Sequence, residues 1–306
     1  MLLAVILFPT AGAFAYERAT DPDDQFYDFP AMVEGATASM REYLKDNPDG
    51  VLDSIRHRVL DNLTDGPVGR ASDLQKAARK KLSPQDVYKK GRRSSLIFGR
   101  FVHNNEMKAD TAYKTASAVV LTPDGLCATN YHVISDILLT GIFGKDDSTD
   151  TGRFLMDCDG NVFPLTAVLA TDPVNDWAII RVDPRGHALT PATIGALPEI
   201  GSTVYCLASP SQGHFNFTQG IVSNRTRATD KRKGTTRYTL EITADYGGGA
   251  SGGPILDEYG NLVGLVSSTV SIYSDQQNMR NFQMAYKQTV PIFLVTERFT
   301  DDNPRK

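Results

Sequence analysis

From about Ser94 onward the apolar residues fall in short runs broken by turns: Ala118–Leu121, Trp177–Val182, Thr203–Leu207, Tyr238–Ile242 and Leu262–Val266. Many short β-rich runs of this kind predict an all-β sandwich or a pair of barrels. The first third of the chain has a different texture. Val33, Met40 and Leu44 recur at helix-compatible spacing, and so do Leu52, Ile55, Val59 and Leu63, so residues 31–82 are read as helical. Gly66-Pro67 and Gly69 break this region ahead of a basic stretch from Lys76 to Lys81. Ser83-Pro84-Gln85-Asp86 offers an N-cap, a proline at the first helical position and an acid three residues on, which predicts a short helix. No internal repeat or low-complexity tract interrupts the chain.

Composition narrows the setting. The 306 residues leave room for one large or two small domains with a sizeable core, and 41% hydrophobic with 22% charged residues describes an ordinary globular protein. A net charge of −4 argues against nucleic acid as a partner, because there is no basic surplus to displace phosphate counterions. The local exception is Arg225, Arg227, Lys231, Arg232, Lys233 and Arg237, which surround Lys233-Gly234 between two strand-like runs and predict a solvated hairpin tip. The apolar run Leu2–Phe8, followed by Ala13-Phe14-Ala15, has the form of a secretory signal peptide over residues 1–15, although its first basic residue is Arg18. Export to a secreted or periplasmic location is the reading, with an uncleaved signal anchor as the lesser alternative. Cys127, Cys158 and Cys206 are an odd number without Cys-x-x-Cys, so at most one internal disulfide forms, and buried free thiols are the better reading. No zinc spacing is present, and the acidic run Asp21-Pro22-Asp23-Asp24 lacks the spacing of a calcium loop. No cofactor or metal is therefore expected.

Chemistry concentrates in Gly249-Ala250-Ser251-Gly252-Gly253-Pro254. A serine between glycines can be presented as a nucleophile with amide N–H groups beside it to receive an oxyanion. Two upstream segments supply the rest: Thr129-Asn130-Tyr131-His132-Val133-Ile134 and Asn175-Asp176-Trp177-Ala178-Ile179-Ile180. The order His132, Asp176, Ser251 discriminates between families. Gly249-x-Ser251-x-Gly253 also fits an α/β-hydrolase elbow, but there the histidine follows the serine, and all five histidines here (His57, His103, His132, His187 and His214) precede Ser251. The subtilisin order places the aspartate first. The chymotrypsin order remains.

These three segments resemble those of trypsin-like serine proteases, most of all the bacterial HtrA/Deg branch. Thr122-Pro123-Asp124-Gly125 and Thr218-Gln219-Gly220-Ile221-Val222-Ser223 resemble that branch too. The likeness covers residues 93–297 and leaves 16–92 as a helical N-terminal extension and 298–306 as a tail. It departs at Ala116-Ser117-Ala118, where the family usually has Gly-Ser-Gly, and at Trp177, where a smaller aliphatic residue usually follows the aspartate. The resemblance implies two six-stranded antiparallel barrels with the cleft between them. It also implies His132 as base, Asp176 as the acid that orients it and Ser251 as nucleophile, with the N–H groups of Gly249 and Ser251 as oxyanion hole. Asp172, four residues upstream of Asp176, is the competing acid.

About forty residues follow Val266, too few for the PDZ domain such proteases often carry. Asp245 lies six residues before Ser251, the offset at which trypsin places the acid of its primary pocket; a structural aspartate bonding the following glycine loop is the somewhat better reading. Leu265-Val266-Ser267-Ser268 resembles the strand that pairs with substrate, which makes Ser267 and Ser268 candidate substrate-binding residues. His214 and Phe215 fall in a predicted loop of the second barrel, where reaching the cleft is the alternative and surface loop is the reading. The expected function is a serine endopeptidase acting on protein or peptide substrates. The rival is a catalytically silent protease-fold protein that binds unfolded chains or partner proteins. For residues 16–92, packing against the barrels and contact between copies in a homo-oligomer both remain open.

Overall fold

A computed structural model describes residues 26–47, 63–104, 108–139, 149–211 and 213–300. The apolar run Leu2–Phe8 with Ala13–Ala15, the acidic run at Asp21–Asp24, and Leu52, Ile55 and Val59 lie outside the described residues. Helix α1 (Phe29–Asp46) opens at Asp28, whose carboxylate accepts the Ala31 N–H at 3.1 Å, with Pro30 in its first turn. Ala36 and Met40, one helical turn apart, are its buried face. That face lies on the first barrel, where Thr37 Oγ1 accepts the Ala112 N–H at 3.1 Å and Arg41 pairs with Asp110 at 3.0 Å.

Residues 63–82 form no α-helix, contrary to the periodic reading, and hold only a single 3₁₀ turn at Ala71–Asp73. They start against the first barrel, where the Thr64 N–H donates to Leu169 O at 2.9 Å, and then run largely extended along the second half of the molecule. Strand β1 (Gly69–Arg70) pairs in parallel with β15 (Phe299–Thr300), Ala78 exchanges hydrogen bonds with the Asn261 side chain, and the Leu82 N–H reaches Glu258 O at 2.9 Å. The glycine and proline breaks, with acceptors supplied by distant strands, overrule the local helix signal. Because β15 takes part, the folded unit reaches Thr300 rather than stopping at residue 297. The predicted short helix does form as α2 (Pro84–Gly91), capped by Ser83, which accepts the Asp86 N–H at 3.2 Å.

Six strands close the first barrel: β2 (Ser95–Asn104), β3 (Ala109–Val120), β4 (Leu126–Thr129), β5 (Thr149–Met156), β6 (Val162–Asp172) and β7 (Trp177–Val182), in the order β2-β3-β4-β7-β6-β5. Its interior follows the period-two rule, with Leu96 and Phe98, then Ala116, Ala118 and Val120, then Ala178, Ile180 and Val182 pointing inward. Helix α3 (Tyr131–Leu139) follows β4 and inserts Ile134 and Ile137 into that core.

The second half is a seven-stranded sheet of β8 (Thr193–Ile194), β9 (Thr203–Ala208), β10 (Asn216–Asp230), β11 (Thr235–Ile242), β12 (Pro254–Asp257), β13 (Asn261–Asp275) and β14 (Arg280–Pro291). The order is β12-β9-β10-β11-β14-β13-β8, and an additional β12–β13 pairing curls β9 to β14 into a barrel-like ring. The basic cluster sits on the β10–β11 hairpin, whose strands meet at Asp230 and Thr235 around Lys233-Gly234, as predicted. Val204, Cys206, Val222, Leu240, Ile255 and Val266 fill the ring. A third apolar cluster joins Met40 of α1, Ile97, Val119 and Ile179 of the first barrel, and Leu207 and Leu265 of the second. α1 and both barrels therefore share one core. Cys127, Cys158 and Cys206 are free and buried, and burial raises each thiol, Cys158 to about 11 and Cys206 to about 12. Residues 267–300 are taken up by the ends of β13 and β14, a short helix α4 (Phe293–Thr296) and β15.

Candidate active site

The junction of the barrels brings three predicted residues together. His132 lies in the first turn of α3, directly after β4. Asp176 closes the β6–β7 turn at φ 60°, a left-handed conformation that aspartate tolerates better than most residues. Ser251 sits in the glycine loop before β12. His132 Nδ1 is 2.9 Å from both Asp176 carboxylate oxygens, and His132 Nε2 is 2.9 Å from Ser251 Oγ. An ionised carboxylate can only accept, so Nδ1 must carry the proton and Nε2 is left as the acceptor facing the serine hydroxyl.

The carboxylate is fully engaged. It also accepts the His132 backbone N–H at 3.1 Å and Ser267 Oγ–H at 2.6 Å, and the buried Asn130 donates its amide to the Asp176 carbonyl at 2.8 Å. Burial opposes the charge on Asp176, but the hydrogen bonds from His132 and Ser267 outweigh it and hold the carboxyl below its ordinary range. The competing acid, Asp172, is turned elsewhere. It accepts the Val174 and Asn175 N–H groups at 2.8 and 2.9 Å and the Asn175 side chain at 2.7 Å, so it builds the turn that presents Asp176.

The glycine loop is clasped from several sides. Ser117 N–H donates to Ser251 O at 2.8 Å, and Gly252 N–H and Val266 N–H form a two-way link to β13. Gly252 has φ 81°, and a Cβ there would lie 2.3 Å from Ser117 O and Thr129 Oγ1, so only glycine fits. Gly249 has φ 87° and would meet Ser211 N at 2.8 Å. The Gly248 carbonyl accepts both the N–H and the Oγ–H of Ser211, at 2.8 and 2.9 Å. In a trans peptide C=O and N–H point in opposite directions, so this pinning turns the Gly249 N–H away from Ser211. Among the described residues, neither the Gly249 nor the Ser251 N–H has an acceptor.

The other expected residues have different surroundings. Asp245 is exposed and paired with Lys287 at 2.7 Å, and that bond holds its carboxyl below the usual range. Lys287, whose ammonium balances the Asp245 charge, also donates to Tyr246 O. Ser267 spends its hydroxyl on Asp176, and Ser268 Oγ donates to Gln288 Oε1 at 3.1 Å. Phe215 is buried at 2% exposure and His214 is stacked on Phe29, so neither is plain surface loop. Ser117, Ser209 and Ser211 escaped sequence reasoning. The departure at Ala116-Ser117-Ala118 was the available signal: both alanines point into the barrel, while Ser117 Oγ receives the Ser209 N–H at 2.9 Å and lies 3.4 Å from Gly249 O. Among the described residues no group of three or more His, Cys, Asp or Glu is placed to hold a metal, and no helix is long and apolar enough to cross a membrane.

Two β-barrel units with a histidine bridging an aspartate and a serine at their junction define the class of trypsin-like folds. Comparison with known proteins agrees. Residues 116–265 match the sequence model of the trypsin-like peptidase domain. The chain is 30% identical over 159 residues to Protease Do-like 5, chloroplastic, of Arabidopsis thaliana, covering 51% of this chain and 48% of that protein. It is 28% identical over 183 residues to serine protease PepD of Mycobacterium tuberculosis, covering 58% and 38%. The chain thus spans less than half the length of these relatives. Among solved structures, Deg5 superposes with a TM-score of 0.51 at 23% identity over 70% of this chain and 90% of that one. A variant of the HtrA-type protease AlgW, solved with a decapeptide, gives 0.52 at 17% identity, over 71% and 65%. These two likenesses speak for the fold. The chain carries a trypsin-like peptidase domain and has the Deg/HtrA serine proteases as its homologues.

Proposed function

We propose that this chain is a serine endopeptidase that cleaves peptide bonds through Ser251, His132 and Asp176. The observation that carries the reading is the His132 ring, held at 2.9 Å from Asp176 on one side and from Ser251 Oγ on the other. A serine hydroxyl is a weak nucleophile at its own pKa and needs such a base. His132 Nε2 takes the Ser251 proton as Oγ attacks the scissile carbonyl and returns it to the leaving amine, while Asp176 stabilises the imidazolium. The Gly249 and Ser251 N–H groups receive the oxyanion, each such donor being worth about 3 kcal/mol in the transition state. Substrate adds as a strand to β13 beyond Val266. Its partner β12 ends opposite Leu265, and no described strand takes that edge after it. Asp245, exposed and already paired, offers no buried unmatched anion, so no preference for Arg or Lys before the cleaved bond is expected. The test is a fluorophosphonate probe mapped to its modified residue, alongside casein hydrolysis by the wild type and Ser251→Ala. Labelling of Ser251 and loss of hydrolysis in the variant are expected. No labelling and no cleavage by either form would leave the binding-only reading in its place.

A further inference from the structure

Two rings at the start of α1 lie on the loop from Ser209 to Phe215. Phe29 stacks on His214 with centroids 3.4 Å apart and planes 15° apart, and Tyr27 packs against Phe215 at 5.2 Å. Beneath them, Lys114 of β3 donates to the Pro210 and Gly213 carbonyls, both at 2.5 Å, and to His214 Nδ1 at 3.1 Å, with its ammonium 5.5 Å from the Phe29 ring. Phe215 is held at φ 48°, a conformation bulky residues adopt only when their surroundings enforce it. The same loop carries Ser211, which fixes the Gly248 carbonyl, and Ser209, whose N–H binds the Ser117 hydroxyl. A short path of contacts therefore runs from the N-terminal rings to the Gly248–Gly249 peptide.

We propose that Phe29 and Tyr27 are positioning residues for the oxyanion loop, the segment leading into α1 acting as an in-chain brace on residues 209–211 and 213–215. The proposal rests on the reading of Ser251 as nucleophile. If the ring stack is removed, the Ser209–Phe215 loop loses its cover, Ser211 no longer fixes the Gly248 carbonyl, and the Gly249 N–H is free to turn from the oxyanion. The helix itself is anchored separately, by Met40 in the core, Thr37 on Ala112, Arg41 on Asp110 and Ser39 on Arg185 at 2.6 Å. Loss of the Phe29 ring therefore loosens the loop without releasing α1.

The experiment uses the full chain and compares wild type with Phe29→Ala and Phe29→Tyr, which keeps a ring able to stack. Hydrogen exchange is followed at the bonded amides of Ser211 and Ala250, with kcat and KM on a peptide ester and the affinity of a peptide aldehyde that forms a tetrahedral adduct. In Phe29→Ala the loop amides should exchange about tenfold faster while those of residues 36–46 hold. kcat and aldehyde affinity should each fall about tenfold or more, since one oxyanion donor is worth about 10²–10³ in kcat, with KM little changed. Phe29→Tyr should restore all three. Lys114→Met, which removes the donors from the other side, gives the same pattern and serves if Phe29→Ala does not fold. Unchanged loop exchange in a folded Phe29→Ala overturns the brace, as does faster exchange with unchanged kcat, or exchange that rises equally in α1. A wild type that neither turns over nor is labelled at Ser251, yet shows the loop-specific exchange change, refutes the nucleophile reading and leaves the structural brace standing.

Discussion

Ser267→Ala isolates one bond of the Asp176 carboxylate. Its hydroxyl donates to Asp176 Oδ2 at 2.6 Å from a residue only 8% exposed, while the carboxylate keeps the His132 backbone and ring donors. A hydrogen bond to a charged group contributes about 1.5–3 kcal/mol net, and a buried acceptor stripped of one partner bears a desolvation cost on top. Part of that loss falls equally on ground and transition states and leaves kcat unchanged. The part that matters is the poorer holding of the carboxylate against the developing imidazolium. About half the bond, roughly 1.4 kcal/mol, corresponds to a tenfold fall in kcat with KM held. A double-mutant cycle with Asp176→Asn gives the sharper test: once the charge is gone, Ser267→Ala should cost much less than in the wild type. Steady-state kinetics on a peptide ester for all four proteins provides the numbers. If the two substitutions add within about 0.5 kcal/mol, Ser267 acts independently of the carboxylate and the reasoning fails.

Ser251→Ala should lower turnover by about 10⁶ while leaving the denaturation midpoint within a degree or two, because a small, partly exposed hydroxyl leaves little cavity; equal casein cleavage by both forms would remove Ser251 from the mechanism. Met40→Ala should cost about 2–5 kcal/mol in urea unfolding, since Met40 is 1% exposed in the cluster that joins α1 to the barrels; a cost below 1 kcal/mol would show α1 to be loosely attached. His214 is held down to about 4, first by burial and then by the Lys114 ammonium, so it stays neutral in the fold while the unfolded chain takes up a proton near pH 6.5. Stability should therefore decline as pH falls from about 6.5 towards 4, and His214→Phe should flatten that decline in urea melts at pH 7.5 and 5. Protein beginning at Tyr16 should hydrolyse substrate without further processing; activity that appears only after a specific cut, and is lost when the new amine is acetylated, would overturn this.

The features legible in the sequence were those with a local or ordered signature. Short apolar runs broken by turns marked strands such as Trp177–Val182, Ser83-Pro84 marked the start of α2, and Lys233-Gly234 marked a hairpin tip. The order of His132, Asp176 and Ser251 anticipated their meeting because each was tied to a recognisable segment. What escaped depends on partners far away in the chain. Residues 63–82 carry scattered apolar positions that imitate a helix, yet their backbone groups are satisfied by Asn261, Glu258 and Arg298. Asp245 at the trypsin offset left a pocket acid open beside the preferred structural reading; it accepts the Tyr246 N–H at 3.1 Å, and nothing local announces its pairing with Lys287 on β14. Phe215 in a Gly- and Ser-rich stretch looks exposed until Tyr27 is packed on it.

The position before Ser251 bears most directly on how the site is kept in shape. In chymotrypsin-type zymogens an aspartate there pairs with a newly freed terminal amine, and breaking such a buried pair costs about 3–5 kcal/mol. Here Ala250 is fully buried and belongs to the apolar cluster that fills the second ring, a setting in which an unpaired charge would be strongly unfavourable. The loop is held instead by neutral bonds: Ala250 N–H to Gly247 O, Gly253 N–H to Ala250 O, Gly252 with Val266, Ser117 to Ser251 O, and Ser211 twice to Gly248 O. At about 0.5–1.5 kcal/mol net apiece they rival the ion pair in sum, with no terminal amine involved. Such an arrangement has a consequence that a single ion pair lacks, because its parts can weaken one at a time. The bonds to β3 and β13 come from barrel strands, whose order is the order of the whole fold. The bonds to Ser211 come from a loop that takes its own support from Phe29, Tyr27 and Lys114. That side can loosen while both barrels stay folded, which makes it the place where activity and stability separate.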